Sequence, residues 1–119
     1  MSFKATVRHV GGVAIVDLTG RLTLGEGSGI LRNSVKDLVA QGEKAIVLNL
    51  KEVSHLDSSG LGEMVGAYAS VTTAGGRIRL LHAQSKIHDL LVVTKLLTVF
   101  PVYSDEAAAV RSFQEVAGA

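Results

Sequence analysis

Hydrophobic and polar positions alternate from Phe3 to Val10, pause at Gly11-Gly12, and alternate again from Val13 to Leu18. A period of two interrupted by residues free to take positive φ predicts an antiparallel hairpin. The period changes between Glu26 and Ala40, where Ile30, Leu31, Val35, Leu38 and Val39 recur at helical spacing and Gly42 lies just beyond as a stop. Ala45 to Leu50 (AIVLNL) is a nearly continuous apolar run, the pattern of a strand covered on both faces with parallel neighbours. Leu61, Met64, Val65, Tyr68 and Val71 form an i, i+3, i+4, i+7 stripe that ends at Gly75-Gly76, which predicts a second helix. Arg77 to His82 reads as another strand, with Ile78 and Leu80 on one face. Ser85 is then placed to cap a short helix whose Ile87, Leu90 and Leu91 point inward. Val99 to Tyr103 reads as an edge strand, because Pro101 has no amide for a central ladder. Asp105 is placed to cap a final helix carrying Val110, Phe113 and Val116.

The predicted order is β-β-α-β-α-β-α-β-α. Right-handed crossovers then give one α/β domain over residues 1–119, a mixed sheet packed by helices. A chain of 119 residues suits one core, and 47% hydrophobic against 19% charged residues excludes a disordered chain. Lys and Arg number 12 against 11 Asp and Glu, so there is no broad basic field for a nucleic-acid backbone. The absence of cysteine excludes disulfides and thiolate metal sites and fits a reducing compartment. Lys4, Arg8 and Asp17 interrupt the opening apolar residues, which read as strand and not as a leader. The most apolar stretch, Leu90 to Phe100, is broken by Lys95 and falls short of the roughly 20 residues a membrane helix needs. A soluble, cytoplasmic protein is expected.

Chemistry is sparse. His9, His55, His82 and His88 show no ligand spacing, so no metal is expected. A nucleophile elbow needs G-x-S-x-G, and position 56, which precedes Asp57-Ser58-Ser59-Gly60, is leucine. Gly60-Leu61-Gly62 with Gly66, and Gly25 with Gly27 and Gly29, match dinucleotide loops only loosely. Turns and close helix–sheet approach account for the same glycines, and no cofactor is called for. The informative segment is Asp57-Ser58-Ser59-Gly60 at the start of the second helix. Asp57 or Ser58 can cap the helix there, and an exposed serine at a helix N-terminus is also a place where phosphate is electrostatically tolerated.

LDSSGLG (Leu56 to Gly62), following the strand AIVLNL, resembles the signature segment of the STAS family, the domain of bacterial anti-sigma factor antagonists. VDLTGRL (Val16 to Leu22), the Ala74-Gly75-Gly76-Arg77 turn and TKLLTVFPVY (Thr94 to Tyr103) resemble further blocks of the family in the same order. The resemblance covers essentially the whole chain. It implies a β-α superhelix with a mixed sheet and a phosphorylation site at Ser58. It also implies a partner: an anti-sigma factor that is itself a serine kinase, bound by the unphosphorylated antagonist so that a sigma factor is released. Phosphorylation ends the binding and a serine phosphatase restores it. The chain then acts as substrate and ligand, not as an enzyme, and is a monomer or weak dimer with no direct contact to nucleic acid and no stable membrane insertion.

The partner surface is expected around Thr23, Glu26, Asp57, Ser58, Ser59, Gly60 and Gly62, with the Thr23 to Gly29 loop beside it. Many antagonists carry an acidic residue where this chain has Thr23, a departure that bears on partner identity. STAS-like domains also serve as scaffold subunits of signalling assemblies and as cytoplasmic accessories of lipid transporters. Size-exclusion chromatography separates the scaffold, a large particle, from a small switch protein.

Overall fold

The computed structural model describes residues 3–25, 27 and 29–118, the last four as backbone. These form strands β1 (Lys4–Val10), β2 (Val13–Leu22), β3 (Ala45–Leu56), β4 (Arg77–Leu81) and β5 (Val102–Tyr103), and helices α1 (Ile30–Ala40), α2 (Ser58–Thr73), α3 (Ser85–Val93) and α4 (Glu106–Gly118). The sheet order is β1-β2-β3-β4-β5. Only the β1–β2 pair is antiparallel, closed by Gly11 and Gly12 at φ 56° and 81°, the two positive angles a tight hairpin demands. The pairs β2–β3, β3–β4 and β4–β5 are parallel, so the predicted mixed sheet is present with the predicted element order.

The inner strands are largely apolar on both faces because both are covered; an exception is the buried Arg79 of β4, whose Nε donates to Ser112 Oγ of α4 at 3.2 Å. Ala14, Val16, Leu18, Ile46, Leu48, Leu50, Ile78 and Leu80 join Leu31 and Val35 of α1, Met64 and Val71 of α2, and Ile87 and Leu91 of α3 in the larger core. Val13, Ile15, Val47 and Leu81 face the other way, against Ala109 and Val110 of α4. Each fully buried leucine or isoleucine contributes about 1.5–3 kcal/mol over an exposed one. Position 50 closes the continuous run, but the alternating residues after it still pair: Gly20 lies opposite Val53, Arg21 opposite His55 and Leu22 opposite Leu56.

Several boundaries differ from the pattern. β2 and β3 run on to Leu22 and Leu56 because register irregularities between Asp17 and Thr19 and between Gly20 and Arg21 shift the alternation without ending the pairing. Helix α1 begins at Ile30 and not near Glu26, since Gly25, Gly27 and Gly29 take φ of 83°, 76° and 85°. Val65 is 42% exposed, and Ala67 completes the inward side of α2 in its place. Ser85 is the first helical residue of α3, whose N-cap Gln84 makes no side-chain cap, so the expected serine cap does not form. The last strand shrinks to two residues: Val99, in the αR region, caps the 3-10 turn Leu96–Thr98, and Pro101 precedes the strand, its carbonyl accepting from Leu80 N at 2.9 Å. Strand β5 is an edge as predicted. Asp105 caps α4 through a 2.9 Å bond from Ala108 N to Oδ2, while the inward role read for Val116 lies outside the described side chains.

Charge fastens α4 to the sheet. Arg8 Nε donates to Asp17 Oδ2 at 2.6 Å, and its Nη2 donates to Glu106 Oε1 at 2.6 Å, joining β1, β2 and α4. Asn49 Nδ2 adds a donor to Asp17 Oδ1 at 2.8 Å. The Arg8 guanidinium holds both carboxyls below their usual range.

Candidate functional site

Parallel neighbours end on the same side, so the C-terminal ends of β2 and β3 deliver their following segments to one edge of the sheet. After Leu22 comes Thr23 and the loop toward α1; after Leu56 comes Asp57 and the first turn of α2. Leu22 and Leu56 are register partners, which sets the two departures side by side.

Asp57 is the N-cap of α2. Its backbone is extended, with φ −118° and ψ −173°, and its Oδ1 accepts from Gly60 N at 2.9 Å. Its Oδ2 accepts from Leu24 N at 3.1 Å, so one carboxylate both closes the helix end and ties down the β2–α1 loop. These bonds, first from the Gly60 amide and then from that of Leu24, hold its carboxyl below the usual carboxylate range. Of the two capping residues that the sequence allows, Asp57 does the capping. Ser58 is the first helical residue; it is exposed, and its hydroxyl makes no hydrogen bond among the described residues.

The neighbouring positions divide by burial. Ser59 is half-buried and Gly60 is buried. A Cβ on Gly60 would sit 2.1 Å from the Leu22 carbonyl oxygen, so the glycine lets α2 start directly against the end of β2. Gly60 therefore acts on the surface by placing Ser58 and not by its own exposure. Gly62 is exposed and a Cβ there meets nothing within 4 Å. Thr23 is half-buried and lines a cleft together with Asp57, whereas Glu26 lies outside the described residues.

Sequence reasoning missed Glu63. Helix α1 has neither a capping side chain nor an acidic residue in its first turn, and Glu63 Oε1 on α2 accepts from Gly29 N at 3.1 Å instead. Its other oxygen lies 3.9 Å from Arg32 Nη1. An uncapped helix start needs an acceptor from elsewhere, which was the available signal. The loop is thus held at Leu24 by Asp57 and at Gly29 by Glu63, both from the first turns of α2. Leu24, 78% exposed, lies within the Thr23 to Gly29 loop expected beside the partner surface.

The described glycines of the two loose motifs differ in their surroundings. Gly27 allows close approach to Phe3, whose Cγ would lie 2.7 Å from an added Cβ, and Gly62 and Gly66 face open space on a helix surface. His9 pairs with Glu43 at 2.8 Å and His55 with Ser54 at 3.0 Å, and no group of three possible metal ligands forms among the described residues. Nor, among these residues, is any helix long and apolar enough to cross a membrane.

An exposed, uncommitted serine beside a capping aspartate, on the shared edge of two parallel strands, meets a family model at this point: residues 4–109 match the STAS domain. The chain belongs to the STAS domain family. It is 30% identical over 117 residues to an anti-sigma F factor antagonist of Paenibacillus polymyxa, covering 98% of this chain and 99% of that protein. Its fold superposes on an anti-sigma factor antagonist from Mycobacterium paratuberculosis with a TM-score of 0.82 at 22% identity, over 93% of each chain. It also superposes on the Bacillus cell fate determinant SpoIIAA in its phosphorylated form, with a TM-score of 0.69 at 21% identity, over 93% of this chain and 99% of that one. These two structures establish the shared STAS fold. The family resemblance read from LDSSGLG and its companion blocks is thereby confirmed.

Proposed function

We propose that this STAS domain is an anti-sigma factor antagonist whose binding is switched by phosphorylation of Ser58. The observation that supports this most is the exposed hydroxyl of Ser58 at the N-terminus of α2, which makes no hydrogen bond among the described residues, with capping done by Asp57. A kinase can modify that hydroxyl without taking a structural hydrogen bond from the fold. The curated relative at 30% identity is named for the same activity.

In this reading the unphosphorylated chain binds an anti-sigma factor with serine kinase activity through the Asp57–Gly62 turn and the Thr23 to Gly29 loop, and a sigma factor is released. Phosphorylation adds about −1.5 to −2 charges. The helix end accommodates them, since its dipole favours an anion. A partner surface shaped for a small hydroxyl does not, because the new charge must be desolvated beside the ionised Asp57. A penalty of about 3 kcal/mol lowers affinity more than a hundredfold. A serine phosphatase resets the switch. The chain performs no chemistry of its own and works in the cytoplasm, where sigma factors are.

The test is to incubate the chain with ATP and an anti-sigma serine kinase and to map the product by mass spectrometry. One phosphate on Ser58 is expected; dominant labelling of Ser59, or of a residue away from this turn, contradicts the assignment.

A further inference from the structure

Beside the switch turn lies a cleft of about 460 Å³ between the ends of β2 and β3 and the first turns of α3. Its size falls within the range of small-ligand pockets, about 300–1,000 Å³. Leu56, Ile87 and Leu90 give it an apolar floor, and Arg21, Lys86 and His55 stand around it. Arg21 and His55 are register partners in the parallel ladder, which fixes them side by side. Arg21 and Lys86 are exposed and form no ion pair among the described residues. Asp57, the carboxylate on the same rim, has its two oxygens committed to the amides of Gly60 and Leu24. His55 has its Nδ1 engaged with Ser54 Oγ at 3.0 Å.

We infer that this cleft binds a small amphipathic anion, a short alkyl or acyl chain carrying one phosphate or carboxylate. A purely apolar ligand would cover the floor and leave two cations unmatched. A bare inorganic anion would match the cations and leave the apolar floor to water. Only a ligand with both parts satisfies the whole surface, with its head between Arg21 and Lys86 and its chain along Ile87 and Leu90. Phosphate and carboxylate heads satisfy the cations in the same way. Ser58 does not line the cleft, so the site is distinct from the modified hydroxyl.

The test uses the isotope-labelled chain alone, so its outcome is independent of any anti-sigma partner. Amide spectra are followed while octyl phosphate or octanoate is added below its micelle concentration, with inorganic phosphate and octanol as partial probes. Saturable shifts at Arg21, His55, Lys86 and Leu90 are expected with the amphipathic anions, and at least tenfold weaker binding with either partial probe. If only one anion binds, that result identifies the head group. The double variant Arg21→Gln with Lys86→Gln should keep a folded spectrum and weaken binding at least tenfold, and Leu90→Ser should weaken it as well. The proposal is overturned if neither anion gives saturable shifts, if the shifts map elsewhere, if inorganic phosphate binds as well as octyl phosphate, or if the double variant binds like wild type.

Discussion

The sheet face under α4 and the edge that carries Ser58 both fasten carboxylates to the body of the protein, and they do so by different means. Under α4, Asp17 and Glu106 share the guanidinium of Arg8, a side-chain clamp across three elements. At the Ser58 edge, Asp57 and Glu63 accept from the backbone amides of Gly60, Leu24 and Gly29. The clamp under α4 uses up its cation and holds a helix in place. The amide bonds at the other edge order a loop while leaving Ser58 exposed and without a side-chain hydrogen bond among the described residues. A surface ordered chiefly by backbone amides, with only the 3.9 Å Glu63–Arg32 contact between side-chain charges, can gain or lose a phosphate without losing a clamp like that of Arg8.

The sharpest way to break this contrast is to disturb the close approach beneath the Ser58 edge. Gly60→Ala puts a Cβ 2.1 Å from the Leu22 carbonyl oxygen, so α2 must shift. A loss of about 2–3 kcal/mol in denaturant unfolding is expected, with weakened partner binding. Gly62→Ala, in open space on the same helix, should be neutral or stabilising by up to about 1 kcal/mol. Equal effects of the two alanines would show that the edge is not held by contact at Gly60.

The next largest effect is on binding. Gly62→Glu places an anion on the exposed first turns of α2 and should weaken the anti-sigma partner about tenfold, or ~1.4 kcal/mol, with the fold intact. Gln114→Lys on the exposed surface of α4 serves as the control and should leave affinity unchanged. If the control disrupts binding as much as Gly62→Glu while both remain folded, the interface includes α4.

Smaller effects separate the two kinds of carboxylate. Arg8→Met should destabilise by at most about 1 kcal/mol, because the clamp is partly exposed, and the loss should shrink in high salt. Asp17, Glu106 and Asp57 all bind protons less readily folded than unfolded. Their contributions are therefore complete at neutral pH and are lost as pH falls from about 5 through the carboxylate range. Unfolding measured at pH 7 and pH 4 in wild type and in Asp17→Asn checks the sign: the variant should lose less stability on acidification. Smallest of all, Ser58→Ala should change stability by no more than about 0.5 kcal/mol, since capping belongs to Asp57. Thermal unfolding that shows a loss typical of a missing cap would assign the cap to Ser58 after all.

Periodicity made the sheet and its covering helices legible, because AIVLNL and the stripe of α2 are direct records of burial. It did not show β2 and β3 continuing to Leu22 and Leu56, since a register irregularity moves residues between faces while pairing persists. The Ser58 edge was legible down to the turn but not to the atom: Asp57 and Ser58 are both capping residues, and only the positions of Gly60 and Leu24 choose between them. Glu63 and the Arg8 clamp were illegible for a related reason. Their partners are from 9 to 98 residues away along the chain, where local pattern carries no information.

Under the proposed switch, phosphate at Ser58 acts on the interface and not on the fold. The most direct measurement is the affinity of the anti-sigma partner for the unmodified chain and for the chain singly phosphorylated at Ser58, with thermal unfolding of both. A loss of affinity of a hundredfold or more at nearly equal unfolding temperature is expected. Equal affinity of the two forms, or a loss of binding that tracks unfolding of the phosphorylated chain, would contradict it.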